Sequence, residues 1–318
     1  MIDGYGRKIN YLRLSITDRC NLRCQYCMPE EGVEKLKHSD ILSLEEIDKM
    51  VESFVSLGID KIRITGGEPL VRHGIVSLVE MIHKHPEIKD LALTTNGLLL
   101  KKMAKSLKDA GLDRVNISID SLKPEKYFQM TRGGVLGNVL EGIEEAKRVG
   151  LTPIKLNVVI IGGFNDDEIE DFVRMTEDEA IDVRFIELMP IGEVAKWSIK
   201  NYVPNTAVLD KVPELVPVES KDPASPAKYY KLPNGKGKVG LISPISCKFC
   251  TNCNRIRLTS EGKLKYCLHS DIEFDLKKAL EDQLDLTTYI QQSVLKKPLE
   301  HEIGKASTVA RNMVQVGG

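Results

Sequence analysis

The chain has 318 residues, of which 29% are charged, with 45 Lys and Arg set against 46 Asp and Glu and a formal net charge of -1. So even a balance excludes a global basic field, so neither nucleic acid nor an anionic membrane is expected as a partner, and any anion site must come from a local concentration of cations. The hydrophobic fraction of 42% suits a large folded core, the opening MIDGYGRK lacks an apolar leader, and runs such as LNVVII are too short to span a bilayer, which together predict a cytoplasmic protein.

In chain order, INYLRLSIT reads as a strand, and SLEEIDKMVESFVSLG as a helix opened by a capping box of Ser43 with Glu46 and closed by Gly58. The unit then repeats. IDKIRIT leads to VRHGIVSLVEMIHKH, DLALTT to LLLKKMAKSLKDAG, and DRVNISID through a short segment to GNVLEGIEEAKRVG. TPIKLNVVII leads to DDEIEDFVRMTEDE, and IDVRFIELM ends the series. Strand and helix patterns in alternation predict a parallel sheet, doubly wound or curled into a barrel.

The strand faces decide between these. Strands covered on both sides should be almost wholly apolar, yet Arg13, Ser15 and Thr17 alternate with Leu12, Leu14 and Ile16. Lys61, Arg63 and Thr65 do the same, as do Asn116, Ser118 and Asp120, and Lys155 with Asn157. One face must be wet or liganded. The expected fold is therefore α/β: an incomplete (β/α)6 barrel of the TIM type over 1–196, its lumen the site. An irregular connector marked by Pro204, Pro213, Pro217, Pro223, Pro226 and Pro233 is expected over 197–236, and a small α+β unit over 237–318. That last unit reads as a strand GKVGLIS, a strand RIRLTSEGKLKYCL and a helix near DIEFDLKKALED.

The seven cysteines gather as Cys20, Cys24, Cys27 and as Cys247, Cys250, Cys253, Cys267, a spacing for metal ligation rather than disulfides. Three thiolates leave one iron of a four-iron cluster without a protein ligand. A three-thiol zinc site is the alternative, although four protein ligands are usual there. The spacing C-x3-C-x2-C with Tyr26 before the last cysteine resembles the radical S-adenosylmethionine superfamily. ITGGEPL, with Gly66, Gly67 and Glu68, looks like the motif that holds the methionyl amino group in that superfamily, its glycines allowing close backbone approach to a ligand.

The second group contains C-x2-C-x13-C, made by Cys250, Cys253 and Cys267. With TDRCNLRCQYCMP, IRITGGEPL, LTTNG, CNRIRLT and the terminal glycine pair, nearly the whole chain resembles the MoaA family, the GTP 3′,8-cyclases of molybdenum cofactor biosynthesis. The resemblance implies two [4Fe-4S] clusters, S-adenosylmethionine, and conversion of GTP to (8S)-3′,8-cyclo-7,8-dihydroguanosine 5′-triphosphate. It implies Tyr26, Gly66, Gly67, Glu68, Ser118 and Met189 around S-adenosylmethionine. It likewise implies Arg13, Lys61, Arg63, Thr94, Lys155, Arg255, Ile256 and Arg257 around GTP. Arg13, Arg255, Arg257, Gly317 and Gly318 would serve catalysis. A flavodoxin or ferredoxin as electron donor and a MoaC-like enzyme as recipient of the product follow from the same resemblance, with a homodimer as one assembly it allows. Cys247 departs from the pattern: a fourth thiol could close the second cluster, and it is expected to be spare. A radical enzyme that modifies a peptide is the competing reading. The histidines form no metal set in the sequence, and TRGG at 131–134 is expected to be a turn between helices.

Overall fold

The structure, a computed structural model, describes residues 1–220, 222–301 and 309–317. Six strands alternate with helices as expected: β1 (Tyr11–Ser15), β2 (Lys61–Thr65), β3 (Asp90–Thr95), β4 (Arg114–Ser118), β5 (Lys155–Ile160) and β6 (Asp182–Glu187). The helices between them are α1 (Leu44–Ser56), α2 (Ile75–His83), α3 (Leu100–Asp109), α4 (Pro124–Thr131), α5 (Leu136–Arg148) and α6 (Ile169–Asp178). The capping box of α1 is formed, with Glu46 N donating to Ser43 Oγ at 3.1 Å and Ser43 N to Glu46 Oε2 at 2.7 Å. Gly58 follows the helix at φ 90°, a conformation that favours glycine. Among the described residues no helix is long and apolar enough to cross a membrane.

Six further strands complete one sheet: β7 (Val216–Val218), β8 (Ala227–Lys231), β9 (Lys238–Ile242), β10 (Arg255–Leu258), β11 (Lys263–Lys265) and β12 (Glu273–Asp275). Its order is β12-β11-β10-β1-β2-β3-β4-β5-β6-β9-β8-β7. Strand β10 runs parallel to β1, and β9 parallel to β6. The C-terminal strands thus extend both edges of the parallel run, where unpaired backbone groups would otherwise be left. Between Ile242 and Arg255 the chain crosses from one edge to the other, carrying Cys247, Cys250 and Cys253.

The apolar sides of β1 to β6, including Leu12, Leu14, Ile62, Ile64 and Leu93, pack with Ile47, Met50 and Phe54 of α1 into one core, which Ile256 and Leu264 of the C-terminal strands also join. Three sequence expectations differ in detail. The segment 197–236 is not irregular throughout: it holds helix Thr206–Lys211 and the antiparallel pair β7 and β8, with Pro217 on the last strand of the order, where a missing amide is tolerated. RIRLTSEGKLKYCL is a hairpin of β10 with β11 rather than a single strand, and DIEFDLKKALED divides into β12 and helix Leu276–Glu281. Elements this short complete too few periods to be told from loops in sequence.

Candidate active site

A cavity of about 270 Å³ opens at the carboxyl ends of the parallel strands, and Cys20, Cys24, Cys27, Cys250, Cys253 and Cys267 all line it. The first three leave β1 on a single loop, where Cys27 N donates to Cys24 O at 2.9 Å. Burial pushes the Cys20 thiol up to about 12. Cys24 is raised by its hydrogen bond with Cys27 and then by burial. These groups are held as thiols until a metal displaces their protons. Among the described residues no three His, Cys, Asp or Glu converge closely enough for a single ion. A four-iron cluster takes its thiolates one to an iron rather than three at a single ion, and three cysteine thiols on one loop are a donor set of that chemistry.

Gly66 and Gly67 line the cavity, but their close approach is to the thiol loop and not only to a ligand. A Cβ on Gly67 would stand 2.4 Å from Arg19 O, and one on Gly66 2.7 Å from Thr17 O. The two backbones are joined there by Gly67 N to Thr17 O at 2.7 Å and Glu68 N to Arg19 O at 2.8 Å. Glu68 is not in the cavity wall. Its buried carboxylate accepts from Leu70 N, Thr95 Oγ1 and Asn96 N at 3.0, 2.8 and 2.7 Å, while burial pushes it up to about 7. It braces Thr95 and Asn96, which do line the cavity. Tyr26 donates to Asp120 Oδ2 at 2.8 Å, and burial raises Asp120 to about 6. Ser118 and Met189 are in the wall as expected.

The second triad has different neighbours. Arg7 Nη1 donates to Cys250 O at 2.8 Å, and the buried carboxylate of Glu187 accepts from Ile245 N and Ser246 N at 2.9 and 3.0 Å. Burial raises the Cys253 thiol, but Arg255 and Lys297 outweigh it and bring the group down to about 7. His269 sits 3.0 Å from Met189 Sδ through Nε2, with burial holding it down at about 3. Cys247 is exposed, lies outside the cavity wall and is 3.2 Å from Lys228 Nζ.

Strand register sets Arg257, Arg13 and Arg63 side by side on β10, β1 and β2. Arg255 and Arg184 also line the cavity. None of these five guanidiniums has an ion pair among the described residues, and buried nitrogens of Arg13, Arg63, Arg184 and Arg255 have no hydrogen-bond partner. Burial, then Arg257 and Arg63, hold Arg13 well below its usual range, and burial brings Arg257 and Arg184 down to about 10. Unpaired cations this close are unfavourable until an anion neutralises them. Thr94 Oγ1, also in the wall and buried, likewise lacks a partner among the described residues.

Three expected substrate contacts fall outside this wall. Lys61 pairs with Asp222 at 3.1 Å, and Lys155 lies 3.9 Å from Asp182, with burial and then Arg184 lowering it to about 8. The side chain of Ile256 is wholly buried in the core, since a residue between Arg255 and Arg257 points to the other face of the strand. Arg184 was missed, although its alternation with Val183 and Phe185 on β6 repeats the pattern that marks the other lumen cations. At the C-terminus, Gly317 O accepts from Arg257 Nη1. Gly317 has φ 80°, and a Cβ there would be 2.9 Å from Thr65 Cγ2 and 3.0 Å from Ser15 Cβ, so only glycine fits. Gly318 lies outside the described residues.

A parallel sheet with a polar lumen and a thiol triad after its first strand defines an enzyme of the radical S-adenosylmethionine class. The profile described as "Radical SAM superfamily" matches residues 14–176, and "Molybdenum Cofactor Synthesis C" matches residues 181–303. The chain is 57% identical to a GTP 3′,8-cyclase of Peptoclostridium acidaminophilum, over 100% of this chain and 98% of that protein. It is 56% identical to a GTP 3′,8-cyclase of Alkaliphilus oremlandii (strain OhILAs) over the whole of both. The chain belongs to the GTP 3′,8-cyclase family. Its fold is also that of Streptococcus suis SuiB bound to S-adenosylmethionine, with a TM-score of 0.64 over 97% of this chain and 77% of that one, at 14% identity. Membership of the radical S-adenosylmethionine superfamily carries a [4Fe-4S] cluster and S-adenosylmethionine.

Proposed function

We propose that the protein converts GTP to (8S)-3′,8-cyclo-7,8-dihydroguanosine 5′-triphosphate in molybdenum cofactor biosynthesis, and that Cys250, Cys253 and Cys267 hold a second [4Fe-4S] cluster. The observation that carries this reading is the row of Arg257, Arg13 and Arg63, without an ion pair among the described residues, in the cavity that both thiol triads line. Guanidinium forks bind phosphate oxygens bidentately, and a triphosphate would relieve the repulsion among them. Cys20, Cys24 and Cys27 would hold the first cluster, which with S-adenosylmethionine supplies the radical that takes hydrogen from ribose C3′ so that C3′ can bond to guanine C8.

The chain's own residues do the positioning. Arg13, Arg63 and Arg257, with Arg184 and Arg255 beside them, fix the triphosphate. Thr94 Oγ1, without a partner among the described residues, offers a hydroxyl in the same wall. Gly317 O accepts from the Arg257 guanidinium and orients it. Asp120 fixes Tyr26 within the thiol loop, and Gly66 and Gly67 seat that loop against β2. We assign the protein to the cytoplasm, where free thiols persist, with a flavodoxin or ferredoxin as reductant and a MoaC-like enzyme receiving the product; a homodimer fits the same reading.

Anaerobic reconstitution, reduction and assay with GTP against ATP tests the proposal. GTP should yield the 3′,8-cyclised nucleotide, with roughly eight irons per chain if each triad holds a four-iron cluster. S-adenosylmethionine cleavage without nucleotide cyclisation would reject GTP as substrate.

A further inference from the structure

The turn TRGG follows α4, and its second residue, Arg132, adopts the left-handed conformation at φ 54° and ψ 53°. Among the described non-glycine residues only Gln283 shares a positive φ. A helix that ends in this conformation ordinarily places glycine there, because a Cβ is disfavoured. Here Gly133 and Gly134 come just after, so the sequence keeps a side chain at the one place where the backbone would do better without it.

That side chain reaches the first thiol loop. Arg132 Nη1 donates to Arg23 O at 2.9 Å and to Met28 O at 3.2 Å, the carbonyls on either side of Cys24 and Cys27. The backbone beside it grips the same loop, with Arg23 N donating to Thr131 O and Gln25 N to Met130 O, both at 3.1 Å. Thr131 is anchored in turn, its Oγ1 donating to Tyr127 O at 2.7 Å and accepting from Gly134 N at 2.9 Å. Within the loop, by contrast, the bonds at Cys27 N and Met28 N both return to Cys24 O. They close a turn without fixing it to the barrel.

We propose that Arg132 is a positioning residue for the first thiol triad: its guanidinium, held by the strained turn, ties the two flanking carbonyls together so that Cys24 and Cys27 face the cavity before iron arrives. The proposal rests on the assignment of that triad to the first cluster. Among the described residues its side-chain hydrogen bonds go to these carbonyls, and Arg132 is not part of the cavity wall. Strain kept at a site that a smaller residue would relieve is a sign of function carried by the side chain.

Arg132→Gly separates the two roles, since it relieves the backbone and removes the clasp. In iron-free protein it should melt at or above the wild-type temperature, while amide exchange over residues 19–30 rises about tenfold or more through loss of charge-assisted bonds. After reconstitution it should retain less iron and lose most of the electron paramagnetic resonance signal that responds to S-adenosylmethionine. Arg132→Lys, which keeps charge without the fork, should fall between. Wild-type exchange and iron retention in Arg132→Gly would overturn the proposal, and so would a lowered melting temperature with exchange raised throughout the chain. Should wild-type protein itself give no signal responsive to S-adenosylmethionine, the assignment of the triad would fail, while the exchange measurement would still judge the clasp.

Discussion

Both thiol triads line one cavity, yet they are built in opposite ways. Cys20, Cys24 and Cys27 lie on one loop clasped from outside by the end of α4, whereas Cys250 and Cys253 lie on the segment joining β9 to β10 and Cys267 follows β11. The first is local in sequence. The second exists only when the two edges of the sheet are occupied. Their electrostatics differ as well: burial dominates at Cys20, which rises to about 12, while at Cys253 burial is outweighed by Arg255 and Lys297 and the thiol falls to about 7. The same ligand type is thus governed by burial at Cys20 and by neighbouring cations at Cys253.

The sharpest way to break the comparison is to remove one thiol from each. Cys24→Ala should abolish cleavage of S-adenosylmethionine, because two thiolates do not hold the cluster with its open iron. Cys253→Ala should leave cleavage measurable as 5′-deoxyadenosine while cyclisation is lost. Loss of cleavage in both would mean that the triads do not act separately.

Removal of Gly317 and Gly318 should come next in size. Arg257 would lose the carbonyl that orients it, and its charge-assisted bond is worth about 1.5–3 kcal/mol, so cyclisation should fall roughly ten- to a hundredfold. Iron content and melting temperature should hold. Unchanged cyclisation would reduce the tail to packing.

How far the sequence discloses these sites depends on the range of the interaction. The βα units, the capping box at Ser43 and the first triad are written in neighbouring residues, and the polar parity of Arg13 and Arg63 already marks the lumen. Arg184 carried that parity too and could have been read. What local pattern cannot disclose is long-range pairing: nothing in RIRL says that it lies beside β1, and nothing in FIELM says that Glu187 will hold the loop before Cys250. The brace at Glu68 was hidden for a related reason. A carboxylate after two glycines reads as a ligand contact, and only the neighbouring strand shows that Thr95 and Asn96 engage it first.

A smaller effect sharpens the electrostatic contrast. In iron-free protein near neutral pH, iodoacetamide should modify Cys253 before Cys20, because the thiolate is the nucleophile and at Cys253, unlike Cys20, neighbouring cations outweigh burial. Lys297 Nζ stands 3.6 Å from Cys253 Sγ and 2.9 Å from Tyr266 O. Lys297→Met should therefore slow labelling of Cys253 several-fold while Cys20 stays slow. Equal labelling rates before and after the substitution would show that Arg255 alone sets the thiol.

The smallest expected effect belongs to Cys247, the thiol in excess of the second triad. Were it a fourth ligand, the proposed second cluster would have no open iron, and GTP could not bind there through the metal. Its position argues otherwise: Cys247 is exposed and outside the cavity wall that Cys250, Cys253 and Cys267 share. Its sulfur faces Lys228 Nζ at 3.2 Å, and that contact raises the Lys228 ammonium group. An exposed pair of this kind contributes little, and surface substitutions are ordinarily within about 0.5 kcal/mol. Cys247→Ser should accordingly leave iron per chain, the spectrum of the second cluster and the rate of GTP cyclisation unchanged. A drop in iron by about one cluster, or a shifted second-cluster spectrum, would make Cys247 a ligand and remove the open iron on which the proposed substrate centre depends.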